Sequence, residues 1–549
     1  MDSGGVERRK PAASLEIPTD SAIQTARYMR GRAFSLDQMP TVTPKHDPSD
    51  GAKGFFELPD KDRKNFLLLV LLYFLQGIPM GLAGGSIPFL LKSHLSYGQI
   101  GIYTLASYPY SLKLLWSPIV DAIWSPKVGR RKSWILPIQM VSGFSMLWLG
   151  GSAQYMMEHA GDNGDTGVWN FTGWWFALVF LCATQDIAVD GWALTLISPT
   201  NLSYASTAQT VGLTAGQFMS YTVFLAFSSK EFANKYFRPA AAPQEYGLLT
   251  LDSYLTFWGW AYLVVTLLLA IFKREDKTHT NDGVWEVYRT MGGILKLRNI
   301  QTLLVIHLIA KIGFQANDAV SNLKLLDKGF SQEDLALTVL IDFPFEISLG
   351  YYAGKWSEQY TPMVVWSWAF VGRLIAALFA QGTVMIFPSS GEYGMGFLLL
   401  VIVQHIFSTF MNTVMFVAVS AFHAKISDPV IGGTYMTLLA TVSNLGGTFP
   451  RFFVLKFVDL FTKATCLPPT STPVDVKGEL ITKAFDCALQ SEKERCIDGG
   501  GTCYVGRDGY YIVNILCVIF GALTFWSFIK PAALKLQALP LRAWRLSEG

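Results

Sequence analysis

The chain has 549 residues, of which 51% are hydrophobic, 14% aromatic and only 15% charged. Soluble domains carry about 25% charged residues, so this composition excludes a water-soluble protein and indicates a polytopic membrane protein. The formal net charge of +3 is too small to point to a nucleic-acid partner.

Residues 1–64 mix both charge signs with Pro, Gly and Ser and lack any apolar run. They read as a disordered cytosolic tail without a cleavable signal peptide, so the first span acts as its own signal. Runs long enough to cross about 30 Å of hydrocarbon predict twelve helices. They lie at 66–91, 98–124, 133–156, 172–198, 206–228, 253–272, 300–323, 333–353, 363–387, 395–424, 432–458 and 510–529. The spans form an N-terminal half (65–272) and a C-terminal half (300–530) joined by a basic linker (273–299). A cysteine-rich loop lies at 459–509 and a cytosolic tail at 531–549.

Basic clusters flank the spans at Lys61/Arg63/Lys64, Lys127/Arg130/Arg131/Lys132, Lys273/Arg274/Lys277 and Lys530/Lys535. All fall on one side if both termini are cytosolic, as the positive-inside rule requires. Four of the six cysteines (Cys466, Cys487, Cys496 and Cys503) lie in the loop assigned to the other side. They suggest two disulfides in an oxidising compartment, with three pairings open and a zinc site as the alternative. Asn170-Phe171-Thr172 is a glycosylation sequon on that same face, and its use stays open; Asn201-Leu202-Ser203 falls on the cytosolic face and is silent.

The fourth span holds Asp186 and Asp190 between the apolar flanks 173–181 and 192–197. A carboxylate inside a span costs about 2.5–3.5 kcal/mol on insertion, so the pair faces the bundle interior or water. At i, i+4 the two share one helix face. They mark a functional site or, more plainly, a buried charge network that locks a helix end.

An internal repeat links the halves. Ile197-Ser198-Pro199, Tyr204, Thr210-Val211 and Ala215-Gly216 recur as Ile426-Ser427-Asp428-Pro429, Tyr435, Thr441-Val442 and Gly446-Gly447. Two parallel six-helix halves with a central linker are similar to the major facilitator superfamily. Asp121 followed by Lys127-Val128-Gly129-Arg130-Arg131-Lys132 is similar to that superfamily's acid-and-basic-turn motif, with an insertion between acid and turn. It reads as a gate element at Asp121, Arg130 and Arg131, or as a plain topology determinant.

Polar residues recur inside the spans. The first carries Gln76-Gly77-Ile78-Pro79 and a glycine-rich stretch to Ser86; the second carries Tyr108, Tyr110 and Lys113. The seventh has His307, Lys311, Gln315, Asn317 and Asp318, and the eighth Asp342 and Glu346. Arg373, His405, Asn412, Asn444 and Arg451 follow in the ninth to eleventh. Each alone fits a snorkelling end or half of a structural ion pair. Together Lys113, Lys311, Arg373 and Arg451 favour an anionic substrate. The histidines are scattered, which points away from a metal, and the phosphate-loop motifs of ATP-driven pumps are absent. His307 and His405 lack a Ser/His/Asp motif, which argues against an enzyme.

Five strings carry a closer resemblance. They are Tyr73-Phe74-Leu75-Gln76-Gly77-Ile78-Pro79, Leu112-Lys113-Leu114-Leu115-Trp116, Gly129-Arg130-Arg131-Lys132-Ser133-Trp134, Ala183-Thr184-Gln185-Asp186-Ile187-Ala188-Val189-Asp190-Gly191-Trp192, and the stretch from Lys425 to Gly447. They resemble the acetyl-coenzyme A transporters of the endoplasmic reticulum membrane over about residues 66–530. Bacterial muropeptide permeases share the shorter motifs without the cysteine loop. The resemblance implies an all-α twelve-helix carrier that imports cytosolic acetyl-CoA into the lumen for acetylation reactions. No cofactor is implied, since acetyl-CoA is the cargo, and the partners are acetyl-CoA, CoA and the lipid bilayer.

Coenzyme A carries three phosphate groups, so Lys113, Lys311, Arg373 and Arg451 are expected to neutralise them. Tyr108, Tyr110 and Trp192 are expected to offer faces for adenine, with Gln76, Asn412 and Asn444 as further polar contacts. Asp121, Arg130, Arg131, Asp186, Asp190 and Asp318 are expected to act in gating or charge relay. The alternative cargo is another anionic solute, a muropeptide or a sugar phosphate. Uniport, exchange against CoA and proton symport stay open, as does a homodimer.

Overall fold

The computed structural model describes residues 58–545 except 162–164, 199–200, 202, 240–241, 243, 245, 276–282, 389–390, 428–431, 470–479 and 489. The expected tail over 1–57 and the closing residues 546–549 lie outside them. Among the described residues, twelve helical stretches follow one another. They are α1 (Asp60–Leu91), α2 (97–122), α3 (Lys132–Leu149), α4 (Asp165–Leu196), α5 (203–228) and α6 (Leu251–Phe272), then α7 (Arg298–Asp327), α8 (Gln332–Tyr360), α9 (Pro362–Ile386), α10 (Met395–Ile426), α11 (Gly432–Phe461) and α12 (Gly509–Gln537). Each falls on one predicted span. Seven of them, α1, α4, α6, α7, α9, α10 and α12, are long and apolar enough to cross a membrane by length and composition.

Irregular backbone gathers in particular helices. In α1, Pro79 precedes a π-helical turn at Leu82–Ser86; α5 holds another at Met219–Val223. Prolines 109 and 118 break α2, which passes through 3₁₀ turns at Leu105–Ser107 and Lys113–Leu115, and α7 tightens to 3₁₀ at Lys311–Phe314. At membrane depth such backbone is tolerated where it is buried in protein or lines a cavity. These four helices supply most of the polar side chains described below.

Within the halves α1 packs on α5, α3 on α6, and α10 on both α8 and α9. The halves meet along α2/α11 and α5/α8, a symmetric arrangement that the repeat explains. A Cβ on Gly216 of α5 would strike the Phe74 carbonyl of α1. One on Gly446 of α11 would strike the His307 carbonyl of α7. Small residues thus occupy the corresponding crossing in each half, one position apart in the repeat, where backbones approach too closely for a side chain.

Three boundaries differ from expectation. Helix α1 begins at Asp60 rather than after residue 64, with Asp60 and Asp62 complementing its N-terminal dipole. Asp62 also accepts from the Ser198 amide at 3.2 Å and the Asn201 amide at 2.7 Å, tying down the start of the α4–α5 connection. The linker contains an amphipathic helix, Val284–Lys296, that buries Met291 and Ile294. The closing segment is packed: α12 runs on to Gln537, and the fully buried Trp544 accepts from the Tyr435 hydroxyl at 2.9 Å.

The cysteine loop folds as a three-stranded antiparallel sheet of order β2-β1-β3, with β1 at Lys463–Leu467, β2 at Phe485–Asp486 and β3 at Thr502–Arg507. Of the three pairings, Cys466 joins Cys496 and Cys487 joins Cys503, with Cα atoms 5.9 and 6.1 Å apart. Cys466, Cys487 and Cys496 lie with Ala464 and Ile481 in a small core of their own.

Candidate functional site

Three adjacent chambers lie between the halves. The first, of about 590 Å³, is lined by Tyr110, Lys113, Asp121, Arg131, Asp190 and Gln209, and by Val287 and Met291 of the linker helix. It shares Tyr110 and Asn444 with a second chamber of about 450 Å³, which holds Gln217, His307, Lys311, Asp318, Asn412 and Arg451. Met80, Gln217, Asp318 and Arg451 then border a third, of about 400 Å³, at the glycine-rich turn of α1. The series runs from the basic turn toward the cysteine loop.

Lys113 projects from the 3₁₀ turn of α2 into contact with Asp186, and its Nζ lies 3.8 Å from Asp190 Oδ2. Asp186 is fully buried and also accepts from Gln76 Nε2 at 2.5 Å. Asp190 faces the chamber and accepts from Tyr73 at 2.7 Å and Gln209 at 2.8 Å. The i, i+4 spacing therefore brings both carboxylates to one lysine, as a shared face predicts.

The basic turn joins the same network. Gly129 has φ +113°, a conformation that favours glycine. The turn presents the Arg131 and Lys132 amides to Glu275, each at 2.9 Å. Arg131 reaches Asp121, Arg130 donates to the Asp121 carbonyl at 2.9 Å, and the Arg131 guanidinium lies where a Cβ on Gly191 would be. The insertion between acid and turn leaves this pairing intact. With Arg130, Lys132 and Glu275 included, the network sets four cations (Lys113, Arg130, Arg131 and Lys132) against four carboxylates (Asp121, Asp186, Asp190 and Glu275).

The C-terminal half has a different balance. Arg373 grips both oxygens of Asp318 at 2.5 Å and lies over the Phe314 ring. Lys311 donates only to the Ser443 carbonyl, at 2.9 Å, and Arg451 keeps a buried Nε without a partner. Among the described residues neither has a carboxylate within ion-pair distance. His307 and His423 face each other with Nε2 atoms 2.8 Å apart beside Lys311. The second chamber thus carries two cations that face the Asp318 carboxylate, already held by Arg373, without contacting it.

The four cations expected to meet phosphates are therefore divided. Lys113 and Arg373 are already held by carboxylates, while Lys311 and Arg451 are available. Trp192 is 1% exposed, which leaves no open face for a base. Gln76 is engaged with Asp186, and Tyr108 donates to the Phe449 carbonyl at 3.2 Å. Tyr110, Asn412 and Asn444 do border the chambers. Sequence reading passed over Tyr73, Gln209, Gln217 and Glu275. Gln217, at mid-span in α5, carried a legible signal as an amide in a predicted span, whereas Gln209 is masked by the Ser and Thr residues around it.

At the far end of the series the halves are bridged, beside a cleft of about 850 Å³ that Lys92 and Asp327 line. The Gly98 amide donates to Asp459 at 2.7 Å across the α2/α11 contact, in a helix start capped by Ser96 and Gln99. Lys92 of one half pairs with Asp327 of the other at 3.4 Å and lies 4.4 Å from the centre of the Tyr97 ring. Asp327 also draws Lys324 at 3.3 Å and Lys493 of the cysteine loop at 3.8 Å. Lys235 and Glu333 form a second bridge between the halves, at 3.6 Å.

Known proteins match this layout. The chain is 42% identical over 562 residues to the uncharacterized membrane protein YBR220C of Saccharomyces cerevisiae, covering 89% of this chain and 98% of the relative. The anhydromuropeptide permease of Escherichia coli is 24% identical over 169 residues, covering 30% and 31% of the two chains. The crystal structure of the nucleoside transporter NupG superposes with a TM-score of 0.54 at 10% identity, over 87% of this chain and all of that one, which shows a shared fold. The family model described as acetyl-coenzyme A transporter 1 matches residues 65–282, 275–365 and 361–546. This chain belongs to that family, and it is a multi-pass membrane transporter of the major facilitator fold rather than an enzyme.

Proposed function

We propose that this protein carries acetyl-CoA from the cytosol into the endoplasmic reticulum lumen by alternating access, to supply lumenal acetylation. The observation that carries the reading is the pair Lys311 and Arg451, two cations in the central chamber without carboxylate partners. A buried charge without a counter-ion is expensive, and an anionic cargo with several phosphates relieves it. By the positive-inside rule the first chamber faces the cytosol in this reading, and the disulfide-bonded loop faces an oxidising lumen. The bridges Lys92–Asp327 and Lys235–Glu333 then lie at the lumenal gate, so the halves are held together on the side away from the cytosol.

Proteoliposomes containing the purified protein test the proposal by uptake of labelled acetyl-CoA, with competition by free CoA, a muropeptide and a sugar phosphate. Saturable uptake blocked by CoA and not by the other two is expected. Preloaded CoA that accelerates uptake identifies exchange. Uptake of a muropeptide in preference to acetyl-CoA would overturn the reading in favour of the cargo named for the bacterial permease.

A further inference from the structure

The third chamber differs in chemistry from the two before it. Gly84 and Gly85 of the π-helical turn in α1 line it, faced by Ile100 of α2 and Leu455 of α11, with Thr104, Tyr221 and the amides of Gln217 and Asn322 as uncharged polar groups. Its charged residues, Asp318 and Arg451, are those it shares with the second chamber. A π turn inserts an extra residue and bulges the helix. Gly84 lies on that bulge, exposed although it is mid-helix, and a Cβ added there would meet nothing within 4 Å. Its neighbours are different: a Cβ on Gly81 would meet Gln217 Cα at 2.7 Å, and one on Gly85 the Tyr221 ring at 2.8 Å. The opening at Gly84 is therefore space that the fold does not use. Gln217 is also exposed at mid-span, and its side-chain amide has no hydrogen-bond partner among the described residues.

From this juxtaposition we infer that the third chamber is the subsite for the acyl-pantetheine arm of the cargo, with Gly84 and Gln217 setting its fit. The inference rests on the proposed acetyl-CoA transport. Phosphates go to Lys311 and Arg451 in the second chamber. The uncharged remainder of the molecule is an extended chain with two amides and a thioester, which needs a narrow, mostly apolar slot with a few amide partners. The third chamber supplies one directly beyond Arg451, toward the bridged lumenal end, so the acyl group leads.

The test compares binding of acetyl-CoA with that of 3′-phosphoadenosine 5′-diphosphate, the charged head without the arm, to the purified full-length protein. Gly84→Leu is expected to weaken acetyl-CoA by about ten-fold or more, the scale of a steric mismatch in a fitted pocket, and to leave the head unchanged. Unchanged head binding is also the control for folding. Gly84→Ala gives a smaller loss of the same kind, and Gln217→Leu, at a residue bordering both chambers, weakens acetyl-CoA more than the head. If Gly84→Leu binds acetyl-CoA like the parent, or loses both ligands equally, the arm does not lie there, while the transport reading survives. If the unmodified protein binds neither ligand, the transport reading itself falls.

Discussion

The intramembrane cations fall into two classes, and substitution separates them. Lys113 and Asp186 form a buried pair, with side chains 17% and 0% exposed. In Lys113→Met the Asp186 carboxylate loses its cation but keeps its burial. Breaking one partner of such a pair costs about 3–5 kcal/mol, because the remaining charge stays desolvated. Gln76 still donates to Asp186 and Asp190 stays nearby; the first softens the loss, while the second adds repulsion. Adding Asp186→Asn removes the stranded charge, so the double variant is expected to recover most of the stability. Arg451→Gln removes a cation with no carboxylate to strand, so it is expected to leave stability within about 1 kcal/mol while weakening acetyl-CoA binding. Thermal unfolding in detergent can be followed with a thiol-reactive dye, since Cys182 and Cys517 are free and buried and react only when the bundle opens. The reasoning is refuted if Lys113→Met unfolds at the parent's temperature, or if Arg451→Gln is destabilised as much as Lys113→Met.

Four further outcomes are expected. Gly216→Ala and Gly446→Ala place a Cβ against backbone carbonyls and should each cost about 1–3 kcal/mol by overpacking, lowering the unfolding temperature; Gly84→Ala, which meets open space, should not. Removing Cys466–Cys496, which spans 30 residues, should destabilise the loop by on the order of 3–4 kcal/mol from loop entropy. Peptide mapping without reduction should recover Cys466–Cys496 and Cys487–Cys503, and any other pairing contradicts the fold of the loop. Asp190→Asn should lower transport turnover more than acetyl-CoA affinity, because Asp190 lies beside Lys113 and apart from Lys311 and Arg451; equal loss of both would place it at the cargo.

Hydropathy pointed to a helix at each predicted span, seven of them long and apolar enough to cross a membrane, because a span must bury about 20 apolar residues whatever its neighbours do. The Asp186/Asp190 pair was legible for the same reason: a carboxylate in such a run has no cheap lipid-facing position. Partner choice was not legible. Lys113 and Asp186 lie 73 positions apart, and they meet because two prolines break α2 and turn Lys113 inward from a 3₁₀ segment. The four cations looked alike in the sequence because counting charges cannot say which already have counter-ions. The glycine-lined chamber was half legible: the glycines were visible as a broken stretch, but the π turn that makes one an opening and its neighbours close contacts depends on α5 packing against them.

The two halves thus share a fold while dividing the chemistry. In the N-terminal half Lys113 has two carboxylates within reach on one helix face, one in contact and one at 3.8 Å. A slide of α2 along α4 would shift the ammonium from one to the other, and a charge pair with two such partners is suited to the domain rocking of a carrier. The cations there are matched by carboxylates, so the network leaves no net positive charge for phosphates. In the C-terminal half one acid is locked to Arg373 and two cations stay unpaired, which attracts them. A cargo held mainly by one half while the other carries the movable charge pair is bound on a fixed surface and released by motion elsewhere. It follows that substitutions on α4 should act on rates and those on α7 and α11 on affinity.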